Sequence, residues 1–138
     1  MQVQPYLNFY GRCEEALEFY SQKLGAKTTF QMRFKEAPEA DKTPAEWQDK
    51  IMHVSFTIGD SALMASDGMC APAAGHHGYS LSLDPKSSEE GKRLFDALAD
   101  GGTVTMPYGP TFWADGFGMV TDRFGVHWMI NVMKPQQS

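Results

Sequence analysis

Residues 111–131 read TFWADGFGMVTDRFGVHWMIN. An aromatic pair, Phe112-Trp113, and a polar turn at 114–116 precede a strand-like run at 117–121. The turn Asp122-Arg123-Phe124-Gly125 then reverses the chain into a second strand at 126–132. Gly125 can take the positive φ that closes such a hairpin, and Asp122 can bond the turn's own backbone. In the second strand Val126, Trp128 and Ile130 share one face, and His127, Met129 and Asn131 share the other. The first face suits a core. The second is mostly polar without charge, and function is expected there.

Upstream, the same hairpin logic appears once more. Residues 51–58 alternate, with Met52, Val54, Phe56 and Ile58 facing one way and His53, Ser55 and Thr57 the other. Gly59-Asp60 turns the chain into a strand at 61–67. Ahead of this pair lie a strand at 2–9, interrupted by Pro5, a helix at 12–24 and a strand at 27–34. The helix carries Cys13, Ala16, Leu17, Tyr20 and Leu24 on one stripe and stops at Gly25. Ahead of the final hairpin stand a strand at 79–84, a helix at 87–100 and a strand at 103–106. Ser87 and Glu90 form a capping box for that helix. The order β-α-β-β-β therefore occurs twice. Leu63-Met64 fall opposite Trp128-Met129 when the two units are superposed.

Two stretches fall outside the pattern. Residues 35–50 are charged, hold Pro38 and Pro44, and carry one large apolar side chain, Trp47, which anchors the loop either on its own domain or on a partner subunit. Residues 68–78, GMCAPAAGHHG, read as a connector in which His76 and His77 are solvent-exposed.

A chain of 138 residues with 12 basic and 17 acidic side chains and a net charge of −5 has the balance of one globular domain. No Lys/Arg cluster marks a nucleic-acid or anionic-membrane partner. No run approaches the roughly 18 apolar residues of a membrane span. Cys13 and Cys70 form neither a disulfide framework nor a CxxC pair, and Cys13 reads as a buried structural thiol. The opening MQVQPYLNFY lacks signal-peptide features, so a cytoplasmic protein is expected.

Three separated segments, QPYLNFYGRCEEALEFYSQKLGA, IMHVSFTIGDSALMASD and the closing hairpin, resemble the vicinal-oxygen-chelate superfamily. This is the group of glyoxalase, bleomycin-resistance proteins and extradiol dioxygenases, and the PhnB-like branch is the best match. The resemblance implies an α+β fold in which two βαβββ repeats form a curved, barrel-like mixed sheet with helices outside. It implies a single domain over 1–138, with repeat one at about 1–67 and repeat two at about 78–133. It also implies a ligand cleft on the concave sheet face, and a homodimer. On that basis Leu7, Phe9, Val54, Phe56, Leu63, Leu81, Leu83, Trp128 and Ile130 face the helices. Gln4, Tyr6, Asn8, His53, Ser55, Thr57, Met64, Ser66, Ser80, Ser82, His127, Met129 and Asn131 face the cleft.

Metal-dependent members place His or Glu on four inner strands. Here those positions fall on Gln4, Met64, Gly78 and Met129, none a usual ligand for a hard divalent ion; thioether sulfur suits soft copper. No metal and no cofactor is therefore expected. The expected function is metal-independent binding of an unidentified small molecule by Gln4, Tyr6, His53, Met64, Ser66, Ser80, Trp113, His127, Met129 and Asn131. The alternative is a lyase, isomerase or transferase, with or without an assisting metal, that uses His53 or His127 as general base, with Asp67 as the better carboxylate candidate. Asp67 and Asp122 also have a plainer reading, as caps of turns. The branch also carries a demethylubiquinone methyltransferase-like label, but the sequence has no GxGxxG loop for a nucleotide-like cofactor.

Overall fold

The computed structural model describes residues 1–68 and 76–135, and Cys70 lies outside them. The chain divides into two compact units, Met1–Ala73 and Ala74–Ser138. Each is one βαβββ module with one four-stranded mixed sheet.

In the N-terminal module the elements are β1 (Tyr6–Asn8), α1 (Cys13–Leu24), β2 (Lys27–Arg33), β3 (Ile51–Ile58) and β4 (Ser61–Ser66). The sheet order is β1-β4-β3-β2, with β1 parallel to β4 and the other pairs antiparallel. The C-terminal module repeats it with β5 (Leu81–Leu83), α2 (Ser88–Ala99), β6 (Thr103–Gly109), β7 (Ala114–Thr121) and β8 (His127–Met133), in the order β5-β8-β7-β6. The duplication seen in the sequence is thus a duplication of topology.

The core of each module lies between helix and sheet. Cys13, Ala16, Leu17, Phe19 and Tyr20 bury one side of α1, while Leu7, Val54, Phe56, Leu63 and Ala65 supply the sheet side. In the C-terminal module Phe95 and Leu98 meet Val120, Trp128, Ile130 and Val132. Gly25 caps α1 in the left-handed conformation, φ 71°, and Ser87 accepts a hydrogen bond from the Glu90 amide at 3.1 Å.

Several boundaries differ from the sequence reading, for identifiable reasons. The first strand is only Tyr6–Asn8, because Pro5 has no N–H to give a ladder. Likewise only Leu81–Leu83 form β5, and both leucines are half-buried. The alternation of residues 51–58 is broken by a bulge. Met32 pairs with His53 but Arg33 with Ile51, so Met52 is the extra residue and Ile51, not Met52, is buried. β6 runs on through Pro107 to Gly109, with bulges of its own. Within residues 35–50 the backbone makes three short 3₁₀ turns. Trp47 packs edge-on against Phe34 at 6.2 Å, which anchors the loop on its own module.

Cys13 is the buried thiol that the helix stripe implies. Burial pushes its pKa far upward, and the Asp67 and Glu14 carboxylates push the same way. Thiolate is the reactive form, so Cys13 should resist alkylation in the native state even at pH 9. Iodoacetamide labelling of a Cys70→Ser variant followed by mass spectrometry checks this. Modification in urea but not in buffer is expected, and rapid native labelling would show that the helix–sheet seam opens.

Candidate functional site

The face of each sheet away from its helix is the open one. In the N-terminal module one row of directly opposed residues crosses all four strands: Tyr6, Met64, Ser55 and Phe30. A bulge at Thr29 sets Phe30 in that row. Next to it stands His53, and the histidine organises the polar groups. Its Nδ1 lies 3.0 Å from the Tyr6 hydroxyl, and its Nε2 lies 3.0 Å from the Ser55 hydroxyl. The rings of Tyr6 and Phe30 sit 5.6 and 6.2 Å from the imidazole. Tyr6 is 47% exposed and Phe30 50%. The result is a neutral surface of two aromatic walls around a hydroxyl–imidazole–hydroxyl line, with both hydroxyls able to donate or accept.

Other residues expected in this site do different work. Asp67 is fully buried: Oδ1 accepts from the amides of Gly11 and Cys13 at 2.9 and 2.7 Å, and Oδ2 accepts from Ile51 at 2.8 Å. The carboxylate ties α1 to the start of β3 and presents nothing to a ligand, which removes it as the catalytic candidate and supports the capping role. Ser66 is also buried, and its hydroxyl accepts from the Gly68 amide at 3.0 Å. Gln4 donates to Gln2 at 2.7 Å.

In the C-terminal module the equivalent row is Ser82, Met129, Met119 and Met106. Strand register makes Ser82 the counterpart of Tyr6, so the counterpart of Gln4 is Ser80 rather than Gly78. His127 is fixed by its neighbours: Nε2 donates to the His76 carbonyl at 2.7 Å, and Nδ1 lies 2.8 Å from the Thr121 hydroxyl. The His76 ring meets the Tyr79 hydroxyl at 2.6 Å, so His76 is half-buried and bonded rather than solvated; only His77 is exposed. Asn131 donates to Met133 Sδ at 3.1 Å, and its buried Oδ1 has no partner among the described residues. Trp113 is 39% exposed and stacks edge-on with Phe117 at 5.3 Å, while Phe112 is 89% exposed, so neither belongs to a core.

His53 and His127 thus part company. His53 holds two hydroxyls on an accessible surface, whereas His127 is tied to the His76 carbonyl and the Thr121 hydroxyl. Ser55 and Phe30 complete the His53 group. Parity in β3 pointed to Ser55, but the Thr29 bulge hid Phe30 from any simple alternation.

The positions at which the family resemblance implies ligands for a divalent ion carry Gln4 and Met64 in one module and Ser80 and Met129 in the other. With two thioethers, one hydroxyl and one amide, and no carboxylate or imidazole, this set does not fit a hard divalent cation. Among the described residues no three His, Cys, Asp or Glu side chains come together to hold one. No helix among them is long and apolar enough to cross a membrane.

Comparison with known proteins agrees with the duplicated topology. The family model described as 3-demethylubiquinone-9 3-methyltransferase matches residues 1–131. Protein YjdN of Escherichia coli is 43% identical, over 99% of this chain and 98% of its own. The crystal structure of PA1353 from Pseudomonas aeruginosa is 49% identical, with a TM-score of 0.86 and coverage of 98% and 99%. The PhnB protein of Bacillus cereus, at 24% identity, has the same fold, with a TM-score of 0.82 and coverage of 96% and 99%. Two βαβββ modules with this sheet order and this match over nearly its full length mean that the chain belongs to the 3-demethylubiquinone-9 3-methyltransferase family.

Proposed function

We propose that this protein binds a small, uncharged polar or aromatic molecule on the open face of its N-terminal sheet, without a hard metal ion. The observation that carries this is the line Tyr6–His53–Ser55, with a 3.0 Å contact on each side of the imidazole. A ring lying between Tyr6 and Phe30 would gain offset or edge contacts of roughly 0.5–1.5 kcal/mol each, and a polar substituent would meet a hydroxyl that can switch between donor and acceptor. The reading includes a homodimer, as the family resemblance implies, and a cytoplasmic location; light scattering tests the first part.

One observation favours an enzymatic version, in which the same molecule is a lyase, isomerase or transferase substrate. With the proton on Nε2, His53 donates to Ser55 and accepts from Tyr6. A proton leaving the substrate for the phenol oxygen passes on to Nδ1 as the phenol releases its own. That makes His53 the general base and Tyr6 the relay. The methyl transfer named in the family description has no such support among these side chains.

A thermal-shift screen of phenols, anilines and other neutral aromatics is the test. Binding at 100 times the dissociation constant adds about 2.7 kcal/mol of stability. For any compound that shifts the protein, Tyr6→Phe and His53→Ala should each weaken binding by tenfold or more, while His127→Ala leaves it within threefold. Unchanged affinity in both N-terminal variants would refute the site. Turnover lost in Tyr6→Phe with binding retained would select the enzymatic version.

A further inference from the structure

We propose that the open face of the C-terminal sheet carries a site for a soft monovalent cation, Cu(I) or Ag(I), held by the thioethers of Met106, Met119 and Met129. The three are directly opposed on adjacent strands: Met106 pairs with Met119 across β6 and β7, and Met119 with Met129 across β7 and β8. Partner side chains on one face start roughly 4.5–5.5 Å apart. Methionine has three rotatable bonds beyond its Cα, so three neighbouring thioethers can close on one ion without moving the backbone.

The surroundings favour sulfur as the only donor. Ser82, the fourth member of the row, is short and exposed and leaves space above the sheet. His127, on the adjacent row, has both ring nitrogens engaged by Thr121 and the His76 carbonyl. Met119 and Met129 are half-buried, which shields a bound ion from water, and Met106 is 42% exposed at the edge, which gives it a way in. A neutral all-thioether set rejects hard divalent ions and accepts soft monovalent ones. The N-terminal module supplies an internal contrast, because the same row there is Tyr6, Met64, Ser55 and Phe30, with a single sulfur. Of the two rows, the C-terminal one alone offers three sulfurs, a set suited to a soft ion.

The test is anaerobic titration of the full-length Cys70→Ser protein with Cu(I) against bicinchoninate, with circular dichroism to confirm the fold of each variant. One ion per chain is expected. Met119→Leu and Met129→Leu keep volume and should each weaken binding at least 100-fold, whereas Met64→Leu should change it less than threefold. Thioethers carry no proton in this range, so affinity should be level between pH 5.5 and 7.5. With Ag(I), the methyl carbon signals of Met106, Met119 and Met129 should move together while that of Met64 stays. An absence of 1:1 binding, binding that survives both leucine variants, or affinity that climbs with pH as for imidazole or thiolate would each overturn the proposal. Full loss in Met119→Leu with a native spectrum would uphold it.

Discussion

Asp67→Ala should destabilise the N-terminal module by about 3–5 kcal/mol, more than any substitution on the open face. The side chain is 1% exposed, and its two oxygens accept three backbone amide hydrogens, those of Gly11, Cys13 and Ile51. Alanine removes all three hydrogen bonds at once and leaves the buried donors unpaired, each costing about 1–3 kcal/mol. The loss is local in origin and wide in effect. Cys13 opens α1, and Ile51 opens β3, whose next residues carry His53 and Ser55. Asp67→Asn should fall between, because its oxygen can still serve Gly11 and Cys13 while its amide group confronts the Ile51 N–H. Urea unfolding followed by far-UV circular dichroism measures both. A shift of less than 1 kcal/mol in Asp67→Ala would mean that water or another group takes over the three amides. The pair also separates structure from chemistry: a catalytic carboxylate would lose turnover in the Asn variant without this loss of stability.

Element order, the duplication and the hydrophobic face of β8 were legible from residues alone, because each rests on local periodicity. Val126, Trp128 and Ile130 alternate with His127, Met129 and Asn131, and the burial follows that alternation without a break. Gly125 takes φ 86°, and Asp122 accepts from the Phe124 and Val126 amides while its other oxygen receives the Trp128 indole N–H. The turn half of that arrangement follows from the residue types. The indole bond does not, since it needs the side chain of a third residue to reach back under the hairpin.

What stayed hidden depends on bulges and on distant partners. One extra residue at Met52 reverses parity, so Ile51 enters the core against the simple pattern. Another at Thr29 brings Phe30 onto the open face beside His53. The candidate site was therefore half readable. Strand parity together with the family resemblance put Tyr6, His53 and Ser55 on one face. Phe30, the burial of Asp67 and Ser66, and the tethering of His127 to the His76 carbonyl all required the backbone path.

A bulge also underlies the second large effect, in the C-terminal module. Between Met106 and Gly109, β6 spends three residues where β7 spends two. The extra residue turns Tyr108 beneath α2, where its hydroxyl donates to the Ser88 carbonyl at 2.9 Å and its ring lies 5.6 Å from Phe95. A β-bulge commonly re-aims a side chain in this way, and Pro107 beside it has no ladder hydrogen to lose. Room for the Tyr108 and Phe95 rings comes from three glycines. A Cβ on Gly116 would collide with the Tyr108 hydroxyl, as would one on Gly91, and a Cβ on Gly118 would stand 2.7 Å from Phe95 Cε2. Gly116→Ala should therefore expel the ring, break its hydrogen bond and cost about 1–3 kcal/mol as an overpacking change. Tyr108→Ala empties the slot and should cost about 2–3 kcal/mol, toward the low end for an aromatic truncation because the residue is half-buried. The double variant decides the matter, since the added methyl then occupies space the ring has left. Its loss should be smaller than the sum of the single losses by about 1 kcal/mol or more, the coupling expected of residues in contact. Strict additivity in urea unfolding would show that the glycines serve the backbone of β7 rather than the tyrosine.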